Sequence, residues 1–216
     1  LGADQIRLIN MPERDSKSIH QRDAQRIADA LGIELETRDL TTVLDAFGIY
    51  SSLPIGILPT RSLRAWLVKF GKSISGLNRE SEVLTRRLKP MANSWVAKGN
   101  AYASAKHRMR MVMLYHLADT HNTLVAGAAN KTEWLTGTFS KWGCDQCADI
   151  MPIVHLYRSQ LPALAHYLEI PEAIRSKAAD PDVMPGIDNK EKLLGSFEVI
   201  DQILWALENN IARNEI

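Results

Sequence analysis

The run Thr123-Leu124-Val125-Ala126-Gly127 leads straight into Asn130-Lys131-Thr132-Glu133-Trp134-Leu135-Thr136-Gly137, and a short loop carries Trp142-Gly143-Cys144-Asp145 out of it. The first five residues read as a strand. In an open parallel sheet, ligands bind in the crevice beyond the carboxyl ends of the strands. Glu133, Lys141, Asp145 and Asp149 therefore emerge together where a ligand would sit. On chemistry alone, a polar loop between core elements explains these residues equally well.

Working back to the start, Gln5 to Asn10 reads as a strand, followed by the turn Met11-Pro12-Glu13. Ser18 with Gln21 three residues on is a capping-box signature. Ala24, Ile27, Ala28 and Leu31 then mark one helical face, which Gly32 can close. Glu34 to Leu40 reads as the next strand. Strand, helix and strand with short connections predict a parallel sheet and an α/β fold.

Composition bounds the rest. The 216 residues are 45% hydrophobic and 24% charged, as in an ordinary globular chain of one domain. Lys plus Arg number 26 against 25 for Asp plus Glu. No global field therefore favours nucleic acid or an anionic membrane. No apolar run approaches the roughly 20 residues that a membrane span needs. Two cysteines three apart are not a disulfide framework. The chain reads as cytoplasmic, with no nucleic-acid or membrane partner.

Several stretches in register carry a resemblance. Gly127-Ala128-Ala129-Asn130-Lys131-Thr132-Glu133, Thr136-Gly137, Cys147-Ala148-Asp149-Ile150-Met151-Pro152-Ile153 and Leu156-Tyr157-Arg158-Ser159-Gln160 are similar to the core of NAD synthetase. The likeness runs on through Ile170-Pro171-Glu172-Ala173-Ile174, Lys177, Pro181-Asp182, Pro185-Gly186 and Asp201-Gln202-Ile203-Leu204, and back to Arg108-Met109-Arg110-Met111. Roughly the last half of the chain matches in order, and residues 1–47 match more loosely. The resemblance implies one doubly wound, Rossmann-like α/β domain of the adenine-nucleotide α-hydrolase type over residues 1–216. The family's S-G-G-x-D-S phosphate loop, which would precede Gln5, has no counterpart. The chain opens at Leu1-Gly2-Ala3-Asp4, so it is read as part of a longer gene product.

The same resemblance implies site residues. Arg108, Lys141 and Asp149 fall on positions that contact deamido-NAD. Glu133 falls on a magnesium ligand, and a carboxylate there suits Mg²⁺ shared with substrate phosphates. Without the resemblance, Glu133 is a helix-start residue at the positive end of the dipole. Ala128, Arg158 and Asp180 fall on the ATP side, where the family has a threonine, a lysine, and a serine or threonine. A carboxylate at Asp180 would repel phosphate unless a metal or Arg158 compensates. Between Lys141 and Asp149 the loop is one residue longer than the family's.

Other segments stand apart. Residues 48–98 read as a helical insertion, with helices near Arg61–Phe70 and Arg79–Lys89. The first places Leu63, Trp66, Leu67 and Phe70 on one apolar face expected to pack on the body, with Arg61, Arg64 and Lys69 elsewhere. A cationic lid and an interface helix are the other readings. A longer helix from about Ala103 to Thr120 sets Met109, Val112, Met113, His116 and Leu117 at core spacing. Cys144-x-x-Cys147, with His155 as the nearest third ligand, reads as a packed pair of thiols; zinc and redox chemistry are the alternatives. His20, His155 and His166 read as surface or packing residues. Ser159 is placed to cap a helix through Leu161, Leu164, Ala165 and Leu168. Residues 178–190 read as an Asp- and Pro-rich loop, and the resemblance implies that it covers the active site. Val199, Ile200, Ile203, Leu204 and Leu207 form a core or dimer face.

The activity implied by the resemblance is amidation of deamido-NAD. ATP and Mg²⁺ activate the nicotinate carboxylate as an acyl-adenylate, ammonia attacks it, and NAD, AMP and pyrophosphate leave. A homodimer is implied too. The alternatives are a ligase of this fold acting on another carboxylate, and a nucleotide-binding relative without catalysis.

Overall fold

The first strand and its successor lie side by side. In the computed structural model, which describes residues 2–74, 94–144, 146–177, 180, 182, 184–186, 195–212 and 214, β1 (Leu8–Asn10) pairs in parallel with β2 (Leu35–Thr37). Leu8 stands opposite Leu35 and Asn10 opposite Thr37. The crossover is α1 (Ser18–Leu31), closed by Gly32 at φ 65°, where its N–H reaches the carbonyls of Ala28 and Asp29. Ser18 makes no cap; Lys17 occupies that position, where its side chain makes no capping bond to the helix. Leu31 is exposed, and the helix seats Ala28 and Asp23 instead.

Past β2, α2 (Thr41–Ala46) and two short 3₁₀ turns bring the chain to α3 (Arg61–Ile74). Leu40, Leu44, Tyr50, Leu53, Ile55 and Tyr102 form the central apolar cluster. Three of these six, Tyr50, Leu53 and Ile55, lie within residues 48–74, so that segment is built into the core. The helix expected at Arg79–Lys89 lies outside the described residues.

The inward side of α3 is not the predicted one. Leu67 and Val68 pack on the core, and Arg64, one turn earlier, is only 2% exposed. Leu63, Trp66 and Phe70 face outward, with the Trp66 and Phe70 rings stacked 5.4 Å apart. A buried carboxylate explains this. Arg64 Nε stands 2.8 Å from Asp15 Oδ1, its guanidinium donates to the Leu58 carbonyl, and Arg61 donates to the Asp15 carbonyl. With Arg64 turned inward the buried Asp15 carboxylate has a counter-charge, without which it would stand uncompensated in the interior.

The longest element is α4 (Trp95–His121), which begins eight residues before its sequence-based start, with the Ser94 hydroxyl accepting from the Ala97 N–H. Val112 and His116 are exposed, because α4 passes between different surroundings along its length and carries no single apolar stripe. The run 123–127 makes one parallel bridge, Ala126 to Ile150. Gly127 is required there: a Cβ would lie 2.8 Å from that of Ala148. Next, α5 (Lys131–Thr136) opens with a true capping box between Asn130 and Glu133 and ends at Gly137, φ 65°. The chain closes through α6 (Leu161–Tyr167), α7 (Glu172–Arg175) and α8 (Phe197–Glu208). Gln160, not Ser159, precedes α6. Among the described residues, no helix is long and apolar enough to cross a membrane.

Candidate functional site

A cleft of about 510 Å³ opens at the carboxyl end of β1, where the topology of an open parallel sheet places ligands. Asn10, Met11 and Pro12 form its floor, Asp39 follows from β2, and Lys17, His20 and Gln21 come from the start of α1. Arg110 reaches in from α4 and bonds the Met11 carbonyl at 3.1 Å. Asp180 and Asp182 close the far wall.

That wall is a network of charges. Lys17 Nζ pairs with Asp180 Oδ2, and the Lys17 N–H donates to Asp182 Oδ2 at 3.2 Å. His20 Nε2 lies 3.4 Å from Asp180 and 3.7 Å from Asp182. Lys177 Nζ bridges His20 Nδ1 at 2.9 Å and Asp23 Oδ2 at 2.7 Å. Burial and the neighbouring Asp180 push the Asp182 carboxyl upward, against the Lys17 N–H, His20 and Arg61. The hydrogen bond from Lys177 holds Asp23 below its ordinary value. Two expectations are corrected here. His20 is neither packing nor plain surface, and Asp180 is neutralised by Lys17 instead of Arg158, whose guanidinium lies over the Phe197 ring, 5.6 Å away.

His20, Asp180 and Asp182 are the one group among the described residues whose ligand atoms approach closely enough for a metal. The hydrogen bonding opposes that use. An ammonium donating to Nδ1 leaves the proton on Nε2, which then points a donor and no lone pair at the carboxylates. The three are held together by lysines.

Behind the cleft floor lies a sealed cluster. Lys106, fully buried, donates to Glu13 at 2.9 Å and Asp15 at 2.8 Å. Tyr50 donates to Glu13 at 2.8 Å, and Tyr102 to Asp15. Burial alone would raise the Asp15 carboxyl, but Lys106, Tyr102 and Arg64 together hold it low. Burial and the carboxylates push both phenols far up, so both stay neutral donors. This cluster fixes the turn after β1, and with it the cleft floor, against α3 and α4. Glu13 falls in the turn after the first strand, and nothing in its spacing pointed to Lys106, 93 residues away.

The predicted substrate residues gather along α4: Arg108 lies on it, and Lys141 and Asp149 bond to its Arg108 and Tyr115. Arg108 Nε donates to the Lys141 carbonyl at 3.0 Å, and the Lys141 ammonium lies 5.3 Å from the Trp142 ring. Asp149 accepts from the Val125 N–H at 2.8 Å and from the Tyr115 hydroxyl at 3.2 Å. Burial and this carboxylate push the Tyr115 phenol up. Glu133 accepts from the Asn130 N–H at 3.2 Å. One carboxylate at a helix start is in keeping with Mg²⁺, which usually takes one or two protein carboxylates beside substrate phosphates. Ala128 is exposed beside Gly127. Asp180 alone among the predicted residues lines the cleft. Asp145 lies outside the described residues.

The profile of NAD synthase matches residues 73–216. The chain belongs to the NAD synthase family. It is 35% identical over 211 residues to the NH(3)-dependent NAD(+) synthetase of Thermotoga maritima, covering 97% of this chain and 73% of that one. Against the NH(3)-dependent NAD(+) synthetase of Coprothermobacter proteolyticus it is 31% identical over 210 residues, 96% of this chain and 71% of that one. Among solved structures, the NMN synthetase of Francisella tularensis superposes with a TM-score of 0.63 at 26% identity, over 92% of this chain and 65% of that one. The α/β class of the adenine-nucleotide α-hydrolase type is thereby established. In this member of NAD synthase one helix, α4, carries contacts both to the cleft floor, through Arg110, and to Lys141 and Asp149, through Arg108 and Tyr115.

Proposed function

We infer that this chain is the amide-forming domain of an ammonia-dependent NAD synthetase. Its reaction activates the nicotinate carboxylate of deamido-NAD with ATP and transfers the acyl group from AMP to ammonia, releasing NAD. The observation that carries this reading is the match along nearly the whole chain to the Thermotoga maritima synthetase. Residues 1–216 are taken as one domain, with 48–98 as its helical insertion.

Positioning and electrostatics supply the catalysis, without a covalent nucleophile from the protein. Arg108 and Lys141, joined through the Lys141 carbonyl, offer two cations to the dinucleotide. A guanidinium suits phosphate or carboxylate in bidentate contact. Asp149, oriented by Tyr115 and Val125, is the acceptor for substrate hydroxyls. ATP occupies the side of Ala128, Arg158 and Asp180, with Lys17 cancelling the Asp180 charge. Glu133 is the protein's magnesium ligand, and the metal, when bound, offsets phosphate charge. A homodimer in the cytoplasm completes the reading, and the exposed Val199, Ile203 and Leu207 of α8 supply an apolar face for it.

The likeness to an NMN synthetase favours a second acceptor, the mononucleotide carrying the same nicotinate carboxylate. Turnover with ATP, Mg²⁺ and ammonium, given deamido-NAD or nicotinate mononucleotide in turn, tests both. NAD formation that Lys141→Ala slows by about tenfold or more supports the first reading. Exclusive use of the mononucleotide moves the assignment to NMN synthesis. Neither product, with ATP bound, sinks both.

A further inference from the structure

Arg158 is the cation assigned to the ATP side, and three side chains on two helices hold it. Its backbone opens the 3₁₀ turn Arg158–Gln160, and the first N–H groups of a helical turn have no partner within it. Here the Arg158 N–H donates to Thr132 Oγ1 at 2.8 Å, and the Ser159 N–H to Asp201 Oδ2 at 2.7 Å. The Thr132 hydroxyl donates in turn to Asp201 Oδ1. Thr132 lies on α5 and Asp201 on α8, and both are buried. The start of the turn is therefore pinned to both helices. The Lys131 N–H, donating to the Leu156 carbonyl at 2.8 Å, ties the same two segments again.

The guanidinium is held differently. It lies over the Phe197 ring, 5.6 Å from the ring centre, and an aromatic face attracts a cation at this range. Phe197 stands four residues before Asp201 on α8, on the same face, and is itself buried. A carboxylate in its place would take two of the N–H donors and cancel the charge. A ring leaves the donor fork and the positive charge to an anion, and a guanidinium fork matches phosphate oxygens. A side chain fixed at both ends also has less rotamer freedom to lose when the anion arrives. Given the assignment of Arg158 to ATP above, on which this inference rests, we propose that Phe197 is a positioning residue. With the Thr132–Asp201 clasp, it presets the Arg158 guanidinium for the phosphates of ATP.

Calorimetric titration of ATP with Mg²⁺ into the full chain and three variants tests this. Arg158→Met is expected to weaken ATP binding about tenfold or more, and Phe197→Leu about fivefold. Because Phe197 acts through Arg158, the double variant is expected to bind as Arg158→Met does, with no further loss. Losses that multiply in the double variant mean that Phe197 only packs, and overturn the proposal. Wild-type affinity in Phe197→Leu beside a weakened Arg158→Met overturns it too, while leaving Arg158 on the ATP side. Wild-type affinity in Arg158→Met removes that assignment and the positioning role with it. Phe197→Met fills the same space with a flexible side chain and replaces Phe197→Leu in the cycle should the latter not fold. In turnover, Phe197→Leu is expected to raise the KM for ATP about fivefold with the KM for the nicotinate substrate unchanged. An equal rise in both KM values would mean a general loosening of the site and would sink the proposal.

Discussion

Lys106 shows how much one side chain can decide. It is the common cation of Glu13 and Asp15, and its removal strands two carboxylates that have no access to water. Breaking a buried ionic group by deleting one partner costs about 3–5 kcal/mol. Lys106→Met is expected to lower the urea midpoint accordingly and to disorder the cleft floor, read as a lost signal in ligand titration. Thr132 is a smaller instance. Its hydroxyl donates to Asp201 and accepts from the Arg158 N–H, while Asp201 also takes the Ser159 N–H. Thr132→Val leaves a buried carboxylate and an N–H short of a partner and is expected to cost about 2 kcal/mol. A denaturation midpoint within error of the wild type would refute that account.

At the scale of the element, α3 separates two kinds of apolar surface. Its inner side holds Arg64, Leu67 and Val68, and its outer side shows Leu63, Trp66 and Phe70 to solvent. Trp66→Gln is expected to change monomer stability by no more than about 0.5 kcal/mol. Arg64→Met, which strips Asp15 of a counter-ion, is expected to cost several times more, about 3 kcal/mol. Equilibrium denaturation of the two variants side by side checks the order, and the reverse order would mean that the aromatic side is the buried one. The bridge at Ala126 makes a similar point. Gly127→Ala drives a methyl into Ala148, so this bridge is expected to open, with a loss of about 1–3 kcal/mol.

For the whole molecule, the near balance of charge (+1) leaves stability against pH to individual groups. Asp15 and Asp23 titrate below their ordinary value in the fold. Their stabilisation is present above about pH 3.9, the unfolded value, and is lost as pH falls through the lower folded values. Asp182 is raised; its contribution is present below that value and is lost as pH rises through the folded one, so its ionised form weakens the fold at neutral pH. Asp182→Asn is therefore expected to raise the Tm at pH 7, with the gain vanishing below about pH 4. Melting curves across that range decide it: a gain that persists at pH 3 would point to packing and not to charge.

The sequence by itself determined the parallel β–α–β start, the strand-to-helix entry at Asn130 and the family, because these follow from local periodicity, caps and motif order. It also named Arg108, Lys141 and Asp149, which the fold lines up on or against α4. The tertiary structure alone decided which side of α3 turns inward, which cation answers Asp180, and that Glu13, Asp15 and Lys106 meet. These are pairings of charges tens of residues apart. Their energy depends on the low dielectric created by the fold around them, and no spacing along the chain records it.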